Sequence, residues 1–180
     1  MRLFRTFLII FLSVFCLSSA WARKAPEVKF KVSREPVYQL QSNEGTIFIA
    51  GQPKVGDFDL LKEWGVKTII NLRAFEEMEY LEDQYAAKAK VKYYNVPVTL
   101  ENLNRAKVDE VSAILKDKEN YPVLLHCSTA NRAAAVYVLD GVFRRGEKVG
   151  KALGEAEHYG LTKEALKEKV KEVAKSASGS

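Results

Sequence analysis

The sequence predicts an α/β fold: a mainly parallel sheet of four to five strands flanked by helices. Three observations predict it. Short apolar runs alternate with amphipathic stretches along the chain, the pattern of repeated strand–helix units. The runs at 66–72 and 123–126 alternate too little to leave one face wet, as parallel strands covered on both sides do. Right-handed crossovers between such strands then place helices on both faces of the sheet.

The first 22 residues read as a secretory leader. Arg2 and Arg5 precede the apolar run 7–17, and Ala20-Trp21-Ala22 is a small-x-small cleavage site. The run is too short for a comfortable membrane span. Phe15 before Cys16 is bulky where a lipoprotein signal needs a small residue. An exported protein follows, most simply a bacterial periplasmic one, with no stable membrane insertion after cleavage.

Residues 23–43 are polar, carry Pro26 and Pro36, and read as an extended segment with an edge strand at 37–40. A single domain over 44–175 comes next. Its first strand is 46–50, ended by the Gly51-Gln52-Pro53 turn. A helix over 57–64 buries Phe58, Leu61 and Trp64, and Gly65 closes it. The second strand is 66–72, and residues 76–90 read as one helix with an exposed charged face. The third strand lies within 91–98. A helix over 104–115 turns Val108, Val111, Ile114 and Leu115 inward. The fourth strand is 123–126. Helices over 133–144, 149–159 and 162–174 complete the domain, and 176–180 read as a flexible tail.

The chemistry concentrates where the fourth strand meets the helix after it. Cys127 ends the strand, and Arg132 opens the helix. Loop amides at a helix N-terminus make an anion-binding concavity, and the same potential favours a thiolate. Arg132 adds a planar, permanently charged fork for a tetrahedral oxyanion. These are the parts of a cysteine nucleophile that takes a charged group from a donor. The other reading of Cys127 is a buried core cysteine. After export Cys16 is gone, so Cys127 is the only thiol and no internal disulfide forms.

The loop His126-Cys-Ser-Thr-Ala-Asn-Arg132 resembles the active-site loop of the cysteine-dependent protein tyrosine and dual-specificity phosphatases. With Ile49-Ala-Gly-Gln-Pro53, Gly65-Val-Lys-Thr-Ile-Ile-Asn-Leu-Arg73 and Tyr93-Tyr-Asn-Val-Pro97 in order, the chain is similar to the bacterial beta-lactamase hydrolase-like proteins. That phosphatase-like family is related to the domain fused to NAD kinases. The resemblance implies a cysteine-dependent phosphatase fold and a cysteinyl-phosphate. It implies Ser128, Thr129, Ala130 and Asn131 around the phosphoryl group, with Arg132 clamping it. Two features depart from the phosphatase signature. Four residues, not five, separate Cys127 from Arg132, a spacing shared with rhodanese-type sulfurtransferases. Ala133 stands where the phosphatases carry a hydroxyl; Ser128 and Thr129 are the nearest hydroxyls to replace it.

The resemblance also calls for an aspartic acid on a separate loop, and 97–103 holds none. Glu101 is the carboxylate there. It is either the general acid or a helix-start carboxylate offsetting the next helix dipole. Arg73 ends the second strand at the same sheet edge, where it binds substrate anion or pairs with Glu76 or Glu77. His126 is read as facing away from the loop and fixing it by hydrogen bonds, with a direct general-base role the other reading.

A net charge of +5, falling to +3 once Arg2 and Arg5 leave, suits an anionic substrate. No basic stripe interleaved with aromatics marks nucleic acid. His126 and His158 form no ligand cluster, so neither a metal site nor a cofactor is expected. Three functions remain open: hydrolysis of phosphate monoesters, transfer of a sulfane sulfur through a Cys127 persulfide, and oxyanion binding without turnover.

Overall fold

A computed structural model describes residues 28–32 and 35–178. The expected leader and the start of the segment after it lie outside these residues. Six strands form one sheet in the order β1-β2-β3-β6-β4-β5. The strands are β1 (Val28–Val32), β2 (Glu35–Gln41), β3 (Thr46–Ala50), β4 (Thr68–Asn71), β5 (Lys92–Asn95) and β6 (Val123–His126). β3, β6, β4 and β5 run parallel, and β1 and β2 extend the sheet antiparallel at one edge. The parallel body is the expected one. The strand expected at 37–40 is not at the edge, because β1 pairs along its outer side from Val32 opposite Glu35.

The helices are α1 (Phe58–Glu63), α2 (Glu82–Ala89), α3 (Arg105–Leu115), α4 (Asn131–Arg145), α5 (Val149–Ala156) and α6 (Glu164–Ser178). Side chains alternate across each strand, so the sheet feeds two cores. Ile47, Ile49, Ile70, Val123 and Leu125 pack toward α3, α4, α5 and α6. Phe48, Ala50, Ile69 and Leu124 pack toward α1 and α2. Burial on both faces is why β6 opens on the apolar run 123–125, all four of its residues being buried.

Local signals set several boundaries. Asn104 caps α3 by accepting from the Lys107 amide at 3.0 Å. Gly65 takes the left-handed conformation after α1, φ +74°, and its amide donates to the Lys62 carbonyl at 2.9 Å. Two further expectations fail. The single helix over 76–90 is broken: Phe75–Glu77 is one 3-10 turn, Met78 and Leu81 are extended, and α2 starts only at Glu82. Tertiary contacts break it. The Tyr80 hydroxyl donates to the Pro53 carbonyl, its ring packs edge-on against Tyr85 at 5.4 Å, and Glu77 is drawn to Arg132. Such contacts outweigh helix propensities of under ~1 kcal/mol per residue. At the other end α6 runs through Ser178, past the tail boundary expected at 176, with Val173 and Ala174 buried in its last turns.

Candidate active site

The β3, β4 and β6 strands end side by side, and that edge positions the site. Ala50 and Asn71 flank His126 in register on either side. The alternation that sends Leu125 toward α4 sends His126 the other way, toward α2. There His126 Nε2 lies 2.8 Å from Glu82 Oε1, both side chains essentially excluded from solvent. One residue further Cys127 returns to the α4 side, 1% exposed, its amide donating to the Ala50 carbonyl at 3.3 Å.

The chain then turns from strand to helix in four residues. Ala130 does the turning in the left-handed conformation, φ +68°, and its carbonyl accepts the Ala134 amide at 2.9 Å to open α4. The loop is held from three sides. The Gln52 amide donates to the Ser128 carbonyl at 3.3 Å, and Gly51 bridges to Thr129. Asn131 Oδ1 accepts the amides of Thr162 and Lys163, both at 2.8 Å, tying the loop to the start of α6.

Arg132 folds back over the loop. Its Nη1 donates to Glu77 Oε1 at 3.1 Å and to the Val98 carbonyl at 2.9 Å. Its Nη2 donates to Glu77 Oε2 at 2.8 Å and to Ser128 Oγ at 2.9 Å. Burial works against its charge, but the Glu77 carboxylate and the neighbouring Cys127 sulfur outweigh it and hold the guanidinium above its ordinary value.

A cavity of about 420 Å³ opens over this loop. Ser128, Thr129, Asn131 and Arg132 lie on one side of it, with Thr99, Leu100, Glu101, Lys163 and Leu166 around them. That volume and its mixed lining suit a small organic anion. Among the described residues no group of three or more His, Cys, Asp or Glu is placed to hold a metal ion, and no helix is long and apolar enough to cross a membrane.

The structure brings Cys127, Ser128, Thr129, Ala130, Asn131 and Arg132 together in one turn. Glu101 is fully exposed, and a hydrogen bond from Thr99 lowers its carboxyl below the ordinary value. Arg73, read as binding substrate anion or pairing with Glu76 or Glu77, is not in the cavity lining. It is 7% exposed and its Nη1 donates to Gln52 Oε1. Its amide donates to Asn71 Oδ1 at 2.8 Å, and its carbonyl accepts Asn95 Nδ2 at 2.9 Å. These bonds keep it inside the protein. Of its two expected partners, Glu77 is the one nearby, with 3.9 Å from Arg73 Nε to Oε2.

Two residues at the site had no adequate signal in the sequence. Glu77 was visible only as a neighbour of Arg73, four residues on, and not as the clamp on Arg132. Glu82 sat among the charges of an apparently exposed helix face. It is 1% exposed and accepts from Gln52 Nε2 at 2.9 Å and Asn71 Nδ2 at 3.0 Å. Burial opposes its ionisation, but His126, Gln52 and Arg73 outweigh burial and hold the carboxyl below its ordinary value.

The sequence and the fold have counterparts in known proteins. The family model described as "DSP-PTPase phosphatase fused to NAD+ Kinase" matches residues 23–174. The beta-lactamase hydrolase-like protein of Agrobacterium fabrum is 33% identical over 117 residues, 59% of this chain and 27% of that protein. Its counterpart in Xylella fastidiosa is 31% identical over 122 residues, 63% of this chain and 28% of that protein. The chain thus matches little more than a quarter of the length of these curated relatives. Among solved structures, P. aeruginosa TpbA, as a cysteine-to-serine variant in complex with phosphotyrosine, matches with TM-score 0.66 at 19% identity. The match covers 85% of this chain and 90% of that one. A protein of the DUF442 group from Shewanella putrefaciens matches with TM-score 0.61 at 21% identity, covering 78% and 88%. At these identities the solved structures share the fold.

Proposed function

The chain belongs to the family of the DSP-PTPase phosphatase fused to NAD+ kinase, and from that premise we propose that it hydrolyses phosphate monoesters of the protein tyrosine and dual-specificity type at Cys127. The observation that carries this reading is Arg132 folded back beside the cysteine, its guanidinium at the edge of an open cavity. The Cys127 thiolate attacks phosphorus, forming the S–P bond as the ester P–O bond breaks and the ester oxygen leaves as the alcohol or phenol, its proton drawn from solvent. Loop amides and Arg132 offset the charge on the equatorial oxygens. Water then attacks the cysteinyl-phosphate, releasing inorganic phosphate and restoring the thiolate. Support for an exported enzyme comes from the leader-like residues 1–22, after which the family match begins.

A small aryl phosphate, assayed with reductant from mildly acidic to neutral pH, tests this. Turnover by the wild type that vanishes in Cys127→Ser is the expected result; equal rates in both proteins overturn it.

One observation favours a second reading. Both terminal nitrogens of Arg132 already meet protein acceptors, Glu77 with each, Val98 with one and Ser128 with the other. A persulfide sulfur asks less of the guanidinium than a phosphoryl group and needs no general acid. Sulfur transfer from thiosulfate to cyanide, dependent on Cys127 and unaccompanied by phosphate release, would replace hydrolysis with this function.

A further inference from the structure

The two ends of the Cys127–Arg132 loop are joined behind it by one chain of polar side chains. It starts at His126, which precedes the cysteine. His126 Nε2 faces Glu82 Oε1 at 2.8 Å. Glu82 Oε2 accepts from Gln52 Nε2 at 2.9 Å. Gln52 Oε1 accepts from Arg73 Nη1. Arg73 Nε lies 3.9 Å from Glu77 Oε2, and Glu77 grips Arg132 with both oxygens. The Gln52 main chain adds a link to the loop itself, through the Ser128 carbonyl at 3.3 Å.

We propose that Gln52 and Arg73 are positioning residues, which hold Arg132 at Cys127 by locking Glu77 to the residue before the cysteine. Neither lines the cavity, so neither touches substrate. The residue types are what the linkage demands. Gln52 stands between a carboxylate and a guanidinium. An amide donates to the first and accepts from the second at once. A carboxylate there repels Glu82, and an ammonium repels Arg73. Arg73 must then serve Gln52 and Glu77 with one rigid planar group, which a lysine point charge does not reproduce. At the His126 end of the linkage, Glu82 Oε1 and His126 Nε2 lie close together without a hydrogen bond of good geometry, and at the other end Arg73 Nε is buried and meets no hydrogen-bond acceptor. A buried donor left this way is uncommon and marks a group held for another purpose, here its charge toward Glu77.

The inference rests on the phosphatase reading for its purpose, but its test does not. Iodoacetamide alkylation of Cys127 at neutral pH reports the thiolate environment that Arg132 provides, whatever the reaction. We expect Arg73→Met and Gln52→Glu each to slow alkylation at least 5-fold. In a Glu77→Gln background, already slowed, adding Arg73→Met should cost less than 2-fold, because the connection is already cut. Contacts that are merely structural give effects that multiply independently. Full multiplicative cost in both backgrounds, or wild-type alkylation in Arg73→Met, overturns the proposal. Arg73→Lys guards against misfolding: it keeps the charge, and we expect slowed alkylation with the thermal midpoint close to wild type. Aryl phosphate turnover measured on the same samples separates the two ideas. Coupled alkylation without wild-type turnover sinks the phosphatase reading and leaves the network standing; turnover with independent effects does the reverse.

Discussion

Glu77 meets the Arg132 guanidinium with both carboxylate oxygens, at 3.1 and 2.8 Å, across 55 residues of sequence. A part-buried ion pair like this one contributes on the order of 1 kcal/mol to stability, so its value lies in aim. A bidentate pair fixes the plane of the guanidinium. Glu77→Gln keeps one acceptor and removes the charge. We expect kcat/KM on an aryl phosphate to fall roughly 10- to 100-fold, as misaimed catalytic groups do, with the melting temperature nearly unchanged. A large melting shift with unaltered kinetics contradicts this.

Arg132→Lys asks whether charge alone suffices. Lysine keeps the positive charge near Glu77 but loses the fork that meets two oxygens. Kinetics of the purified variant should show kcat lower by about 100- to 1,000-fold, the usual cost of removing a preorganised oxyanion donor. A variant within a few-fold of wild type would mean that the guanidinium geometry is not used.

Glu101 is placed to test the acid. The Thr99 hydrogen bond lowers its carboxyl, so it is ionised at neutral pH, the wrong state for giving a proton. Glu101→Gln should therefore keep aryl phosphate turnover within ~3-fold, with both limbs of the pH–rate profile in place. Loss of the basic limb together with a drop of about 100-fold would restore Glu101 as the general acid.

The buried Glu82 makes stability depend on acid pH. Its carboxyl titrates below the ordinary value in the folded protein, and near about 4.3 when unfolded. Ionised Glu82 therefore contributes stability in full above the unfolded value, and that contribution disappears as pH falls through the lower folded value. Urea unfolding at stepwise pH between about 5 and 3 should show wild-type stability falling more steeply than that of Glu82→Gln. Parallel curves would remove Glu82 from the account.

Gly160 touches the loop from the far side. Its φ is +102°, and an added Cβ would sit 2.8 Å from the Ala130 Cβ and 3.1 Å from the Tyr38 ring. Gly160→Ala should cost ~1–3 kcal/mol from crowding and backbone strain and lower turnover by displacing Ala130. Gly146→Ala is the comparison. It also has positive φ, +68°, but open space around it, so we expect only the ~1–2 kcal/mol strain of the left-handed conformation and unchanged activity. Equal effects on activity from the two variants would argue against the loop contact.

Much of this was legible because it is local. The β3 and β6 strands lie where their apolar runs lie, Gly65 closes α1, and Asn104 caps α3. Cys127 and Arg132 could be picked out because strand end, short loop and helix start follow one another in the chain. Arg73 stayed open between substrate anion and Glu76 or Glu77 for the opposite reason. Position at a strand end shows which edge it reaches but not whether solvent or Gln52 and Glu77 will receive its side chain. The helix expected over 76–90 failed similarly, since Tyr80 and Glu77 answer to Pro53 and Arg132.

By itself the sequence determined the parallel α/β body and the place of the Cys127–Arg132 turn between a strand and the helix after it. Hydrophobic periodicity, capping and spacing are properties of neighbouring residues, and they need no knowledge of what packs where. Only the tertiary structure decided that Glu77 grips Arg132, that Glu82 is buried beneath His126, and that Gln52 joins Glu82 to Arg73. A charged side chain looks the same in sequence whether water or a buried partner solvates it. The choice between them is made by residues that the chain brings together only on folding.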